Sequence, residues 1–137
     1  MAETPAQQQI RGVTPYLTVK GAIEAIEFYK AAFGAEEIQR MPSQEPGKLM
    51  HAHLRINNGD VLMSDDFSGP MEELGGHEPR GVTMHLAVDD ADKWWKRALA
   101  AGATVKMEIA DQFWGDRYGQ IKDPFGHSWS IASPAKK

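Results

Sequence analysis

Three histidines are the residues of this chain best suited to chemistry: His51 and His53, two apart, and His85. An imidazole titrates near physiological pH, so it can shuttle a proton or, neutral, bind a transition metal. Residues two apart on a strand share a face. His51 and His53 would therefore sit together, and with His85 and Asp65 they have the composition of a His/carboxylate site for iron, zinc or nickel. Such a pair is common on strands and its spacing is not diagnostic, so polar lining of a cavity is the favoured role. No cofactor is expected, and a divalent metal at His51, His53, His85 and Asp65 is the less favoured alternative. His85 is the best single catalytic candidate, although a lone histidine in a cleft is more often a hydrogen-bonding fixture. The second dense patch is Phe113-Trp114-Gly115-Asp116-Arg117-Tyr118. Trp114, Arg117 and Tyr118 combine aromatic area with a guanidinium, which suits a planar or anionic ligand. Equally, the patch could pack its aromatics on a sheet edge, with Asp116 and Arg117 as a local ion pair.

The elements that must position these residues come from an internal repeat. Gly12–Val19 recurs 69 residues later as Gly81–Val88, with five of eight positions identical. Each copy leads into an amphipathic stretch (Ala22–Phe33; Ala91–Ala101), a glycine (Gly34; Gly102) and a new strand. Gly34 suits a helix stop, and Asp89 and Asp90 suit a helix start. In the first unit strands are expected near Glu36–Met41, Lys48–Asn57 and Val61–Asp65, with a tight turn at Asn58-Gly59. Met50, Ala52, Leu54 and Ile56 form the apolar series of the second of these. In the second unit they are expected near Thr104–Ile109, Tyr118–Lys122 and His127–Ala132, with a type I turn at Asp123-Pro124-Phe125-Gly126.

This is an α+β fold of two tandem βαβββ modules (12–66 and 81–133), eight strands in a curved mixed sheet or open barrel. Residues 1–11 read as a flexible arm, 12–133 as one domain and 67–80 as a linker. If each apolar series lies under its helix, the polar series of the two modules face a shared cleft. From the first module these are Thr14, Tyr16, His51, His53, Arg55, Met63 and Asp65. From the second they are Thr83, His85, Tyr118, Gln120, Ser128 and Ser130. The assignment rests on side-chain alternation, which a bulge could flip.

The net charge of −4 argues against nucleic-acid and anionic-membrane partners. With no cysteine, disulfides and thiolate chemistry are excluded. No apolar run reaches the roughly 20 residues of a membrane span, and the polar N-terminus lacks a signal-peptide core. A cytoplasmic, small-molecule-binding protein is the expectation; a homodimer, with Trp94 or Trp95 and Ser68–Gly81 as candidate contacts, would bury the exposed edges of two open sheets.

Several segments carry a family likeness. The paired βαβββ pattern, Phe28-Tyr29-Lys30-Ala31-Ala32-Phe33-Gly34, Met50-His51-Ala52, Asp111–Gly119 and Asp123-Pro124-Phe125-Gly126-His127-Ser128-Trp129 resemble the vicinal oxygen chelate superfamily, nearest its PhnB-like branch. That superfamily includes glyoxalase I, extradiol dioxygenases, fosfomycin-resistance proteins and bleomycin-binding proteins. The resemblance implies metal ligands at Thr14, about Met63, Thr83 and Ser130, none of which is His, Glu or Asp; a two-residue slip would offer Asp65. It implies either metal-independent lyase or isomerase chemistry on a small oxygenated molecule, with Arg55 or Arg117 holding an anionic group, or non-catalytic sequestration of a small molecule or antibiotic.

Overall fold

The computed structural model describes residues 10, 12–67 and 79–136. The expected arm and linker fall largely outside the described residues. Contacts divide the chain into two compact units: residues to Lys30 with Gly34–Gly69, and Ala31–Phe33 with Pro70 onward.

The first unit contains β1 (Tyr16–Val19), α1 (Ala22–Phe33), β2 (Glu36–Pro42), β3 (Leu49–Ile56) and β4 (Gly59–Asp65). The second contains β5 (Thr83–Ala87), α2 (Ala91–Ala101), β6 (Thr104–Asp111), β7 (Asp116–Lys122) and β8 (Ser128–Pro134). Hydrogen bonding distributes the eight strands over two four-stranded mixed sheets, ordered β1-β4-β3-β2 and β5-β8-β7-β6. In each, the first strand runs parallel to the last and the other pairs are antiparallel. Both helices span the residues expected from their periodicity. Gly34 takes a left-handed φ of 66° and closes α1 through bonds to Lys30 and Tyr29 carbonyls. Asp90 caps α2 by accepting from Lys93 N–H. Among the described residues, no helix is long and apolar enough to cross a membrane.

The hairpin between β3 and β4 turns at Asn57-Asn58, not at Asn58-Gly59. Both asparagines have positive φ (50° and 67°), as a type I′ turn demands, and asparagine tolerates that region. Gly59 is instead the first residue of β4, paired with Ile56. This one-residue difference sets the register, which puts Asp60 opposite Arg55, Leu62 opposite His53 and Met63 opposite Ala52. Met63 is thus fully buried on the core side, and so is Asp65. The expectation that both face the polar side is corrected by the period of two. A bulge does the same at Met50. Between the Met41–His51 and Pro42–Leu49 pairs the register shifts, so Leu49 is buried and Met50 is exposed.

Asp65 is an internal cap. Its Oδ1 accepts the backbone N–H of Gly21 and Ala22 at the start of α1, and its Oδ2 accepts Leu49 N–H at 2.7 Å. At the corresponding place in the second unit, Ser133 Oγ accepts Ala91 N–H at 2.9 Å. A carboxylate spent on three backbone donors beside a helix N-terminus is a structural anion. Both of its oxygens are committed to these backbone donors.

In the second unit α2 buries Ala91, Trp95 and Ala98. The Trp95 indole crosses β7 where Gly119 leaves room: a Cβ there would stand 2.6 Å from Trp95 Cζ3. Trp95 is therefore a core residue, which removes it as a contact for a second chain. The Asp123–Gly126 turn closes through Gly126 N–H to Asp123 carbonyl. The Asp123 carboxylate accepts from Phe125 and His127 N–H and from the Trp129 indole.

Candidate functional site

Each sheet has one face lined by polar residues. In the first, β1, β4 and β3 place Tyr16, Leu62 and His53 in one row, with Asp60 and Arg55 in the next. Asp60 Oδ1 accepts from His53 Nε2 at 2.7 Å and from Arg55 Nη2 and Nε at 2.9 and 3.2 Å. His53 is 1% exposed, so this is a buried end of an ion-paired cluster. Partial burial works to raise the Asp60 carboxyl, but hydrogen bonds from His53 and Arg55 and their charge hold it below its ordinary value. Near it, the Tyr16 hydroxyl lies 2.8 Å from His51 Nδ1, with the rings 5.6 Å apart. Burial, and then the neighbouring His53, push the His51 imidazole down.

In the second sheet β5, β8 and β7 bring His85, Ser130 and Gln120 into one cross-strand row. His85 Nδ1 and the buried Ser130 Oγ are 2.7 Å apart. The His85 ring stacks on Tyr118 at 6.2 Å with an interplanar angle of 25°. Gln120 Nε2 donates to the Tyr118 hydroxyl at 2.8 Å. Trp114 meets Tyr118 edge-on at 5.5 Å, and Phe113 meets Trp114 at 5.1 Å. A chain of rings thus runs from the β6–β7 turn to the His85–Ser130 pair. Serine holds one ring nitrogen of His85, which leaves Nε2 for a ligand. Thr83, exposed, lies on the same series as His85, and half-buried Thr14 precedes β1 on the series of Tyr16.

Of the residues singled out from the sequence, His85, Tyr118, Trp114 and Ser130 gather in one place. Tyr16, His51, His53 and Arg55 share the polar face of the other sheet. Arg117 does not join its neighbours. Strand alternation turns it to the opposite face of β7, where it pairs with Asp92 at 3.2 Å and Asp111 at 3.4 Å. It bonds neither Asp116 nor any group beside Tyr118; Asp116 instead accepts from the Trp114 indole at 3.1 Å. Two residues escaped sequence reasoning. Asp60 was readable in principle, because a two-residue turn at Asn57-Asn58 dictates an Arg55–Asp60 cross-strand pair. Lys106, whose Nζ donates to Ser128 Oγ at 3.0 Å, stands in a strand with two register shifts.

The donor set also bears on the metal that the fold implies. At the expected positions stand the hydroxyls of Thr14, Thr83 and Ser130 and the buried thioether of Met63; the register presents Leu62 in its stead. Neutral hydroxyls are poor ligands for zinc, nickel or iron(II) beside imidazole and carboxylate. Asp65 is committed to backbone N–H groups and Asp60 to Arg55 and His53. Among the described residues no three His, Asp or Glu side chains converge as a metal would require. These residues do not fit the group.

Comparison with known proteins agrees with the architecture. Residues 10–131 match the model of the Glyoxalase/Bleomycin resistance protein/Dioxygenase superfamily. The chain is 46% identical over 132 residues to the uncharacterized protein Mb0911c of Mycobacterium bovis, covering 91% of this chain and 84% of that one. It shares its fold with the PhnB protein of Bacillus cereus (TM-score 0.71, 19% identity, 90% and 99% of the two chains). The same holds for a mutant of the fosfomycin resistance protein FosX of Listeria monocytogenes, complexed with Mn(II) and 1S,2S-dihydroxypropylphosphonic acid (TM-score 0.68, 18% identity, 93% of each chain). With two βαβββ units and a family match over most of its length, the chain belongs to the glyoxalase/bleomycin resistance protein/dioxygenase superfamily.

Proposed function

We propose that this protein binds a small oxygenated molecule on the polar face of its second sheet and transfers a proton to or from it at His85, without a resident metal. The observation that carries this is the His85–Ser130 pair, 2.7 Å apart with the serine buried, and the Tyr118 ring stacked on the imidazole. A positioned imidazole can supply general acid–base catalysis worth roughly 10²–10⁴ in rate. Ser130 fixes the ring and Tyr118 limits its rotation, so Nε2 meets a bound molecule in one orientation. Gln120 donates to the Tyr118 oxygen, which directs the phenolic proton toward a ligand oxygen. In isomerase chemistry of this kind Nε2 takes a proton from one atom of the substrate and returns it to the adjacent one; in lyase chemistry it takes the proton while the bond from the neighbouring atom to a leaving group breaks, the group departing with the electron pair.

Non-catalytic sequestration is the second reading. It is favoured by Phe113, 96% exposed, and Trp114, 49% exposed, at the open end of the ring chain, where they would cover a ligand without touching its reacting atoms.

The test is ligand-observed NMR of the metal-analysed protein against a panel of small hydroxy- and keto-compounds, followed by turnover of each binder. The reading requires that binders shift the His85 and Tyr118 resonances, and that His85→Ala abolishes turnover while leaving binding. Binders that persist unchanged select the sequestering reading. Binders that leave His85, Tyr118 and Trp114 unperturbed, or turnover that needs added zinc, nickel or manganese, overturn the proposal.

A further inference from the structure

Lys106 gives the polar face of the second sheet a charged end. In β6 the register moves from Val105–Ile121 to Met107–Gln120, so Lys106 is the extra residue of a bulge, a device that re-aims side chains. Its ammonium reaches across β7 to Ser128 Oγ at 3.0 Å, and Ser128 is buried. Among the described residues no carboxylate pairs with Lys106. The register arranges the rest of the face in order. Ser128 lies beside Lys122, Ser130 beside Gln120 and Ala132 beside Tyr118. The cation therefore stands at one end, the His85–Ser130 pair in the middle, and Tyr118 with Trp114 at the other end.

From the Lys122 row to the Tyr118 row is four residues, about 13 Å at the rise of a strand. Allowing roughly 3 Å of contact distance to the lysine, with the planar end lying over the rings, the face accommodates a molecule about 10 Å long.

We propose that this face takes a flat, unsaturated carboxylic acid of that length: its carboxylate on Lys106 and the Ser128 hydroxyl, its planar end on Tyr118 and Trp114, and its central atoms under His85. The assignment rests on the second-sheet site proposed above and adds the chemical class of its ligand. A carboxylate supplies the counter-charge that Lys106 lacks among the described residues, and the aromatic chain rewards a planar body with stacking.

The probes are 4-hydroxycinnamate, its methyl ester and 3-cyclohexylpropanoate, titrated calorimetrically into the full chain. Variants are Lys106→Met, Lys106→Arg, Trp114→Ala and, as a surface control, Lys93→Met. The acid should bind about tenfold tighter than the ester, the scale of one charge-assisted hydrogen bond. Lys106→Met should erase that difference, Lys106→Arg should restore most of it, and Lys93→Met should behave as the parent. Trp114→Ala should weaken acid and ester alike, and the cyclohexyl acid should bind several-fold less well than 4-hydroxycinnamate. Equal affinity for acid and ester, lowered by Trp114→Ala but untouched by Lys106→Met, would overturn the anionic subsite and leave the site itself standing. A cyclohexyl acid as tight as the aromatic one would overturn the planar requirement. Failure of all three to bind, or binding indifferent to Trp114→Ala, would overturn both this assignment and the site on which it rests.

Discussion

Two titrating groups of the first sheet give acid sensitivity in different pH windows. His51 has a folded-state pKa below the ordinary 6.5, through burial first and the charge of His53 second. As pH falls from about 6.5, the unfolded chain takes up the proton before the folded one does, so stability is lost on acidification through that window. In His51→Gln, thermal stability should be flatter between about pH 6.5 and 5 than in the parent. An identical pH slope in the variant would show that His51 is not the group responsible. Asp60 is depressed below the ordinary 3.8, with burial opposing and the His53 and Arg55 hydrogen bonds prevailing. Its contribution is complete above 3.8 and disappears only as pH falls through the lower folded value. At neutral pH, Asp60→Ala removes the shared acceptor of a buried imidazole and a half-buried guanidinium. A loss of roughly 1–3 kcal/mol in denaturant unfolding is expected, and a variant within 0.5 kcal/mol of the parent, roughly the scale of a neutral surface change, would remove the cluster from the account of stability.

At the scale of elements, the start of α1 depends on a side chain 43 or 44 residues away. Asp65 supplies the acceptor for Gly21 and Ala22 N–H and for Leu49 N–H at the start of β3. Asp65→Ala leaves three donors without that acceptor, two of them at buried bonds, and should cost about 3 kcal/mol or more. The corresponding Ser133→Ala loses one neutral bond and should cost about 1 kcal/mol. Equal effects would contradict the charge-assisted role of the carboxylate. In the second unit, Gly119 is required by the indole over it. An added Cβ would also stand 2.9 Å from Ile109 Cα, so backbone as well as ring must yield. Gly119→Ala should cost roughly 1–3 kcal/mol, with a shifted Trp95 fluorescence maximum. Unchanged fluorescence and stability would show that the helix moves freely away from the sheet.

For the whole molecule, both sheets are open: β1 and β2 in one, β5 and β6 in the other, pair on one side only among the described residues. Open edges carry unpaired backbone groups that invite another strand or need protection. We propose a homodimer that covers such an edge, and Trp94, half-buried with its indole on Asp89, remains a candidate contact. Sedimentation equilibrium at micromolar concentration should return twice the chain mass. A monomer there, with edge-strand amides of all four strands exchanging freely, would count against it.

The order of elements was legible because each is written in local periodicity. The helical spacing of Ala22–Phe33 and Ala91–Ala101 and the alternation of Thr83–Ala87 depend only on neighbours a turn or two away, and the 69-residue repeat writes the same local pattern twice. The shared face of His85, Tyr118 and Ser130 was legible because alternation held there without interruption. Alternation misled where one residue of register mattered. Choosing Asn57-Asn58 over Asn58-Gly59 reverses every side chain of β4; that choice buried Met63 and Asp65 and brought Asp60 to His53 and Arg55. The bulges that expose Met50 and aim Lys106 at Ser128 leave no local mark, since an extra residue is defined only against the partner strand. Residue types and their order determined the family, the two units and the histidines; hydrogen-bonded pairing across distant strands decided which of those side chains share a face, because a pleat has two sides and sequence alone does not say where its phase begins.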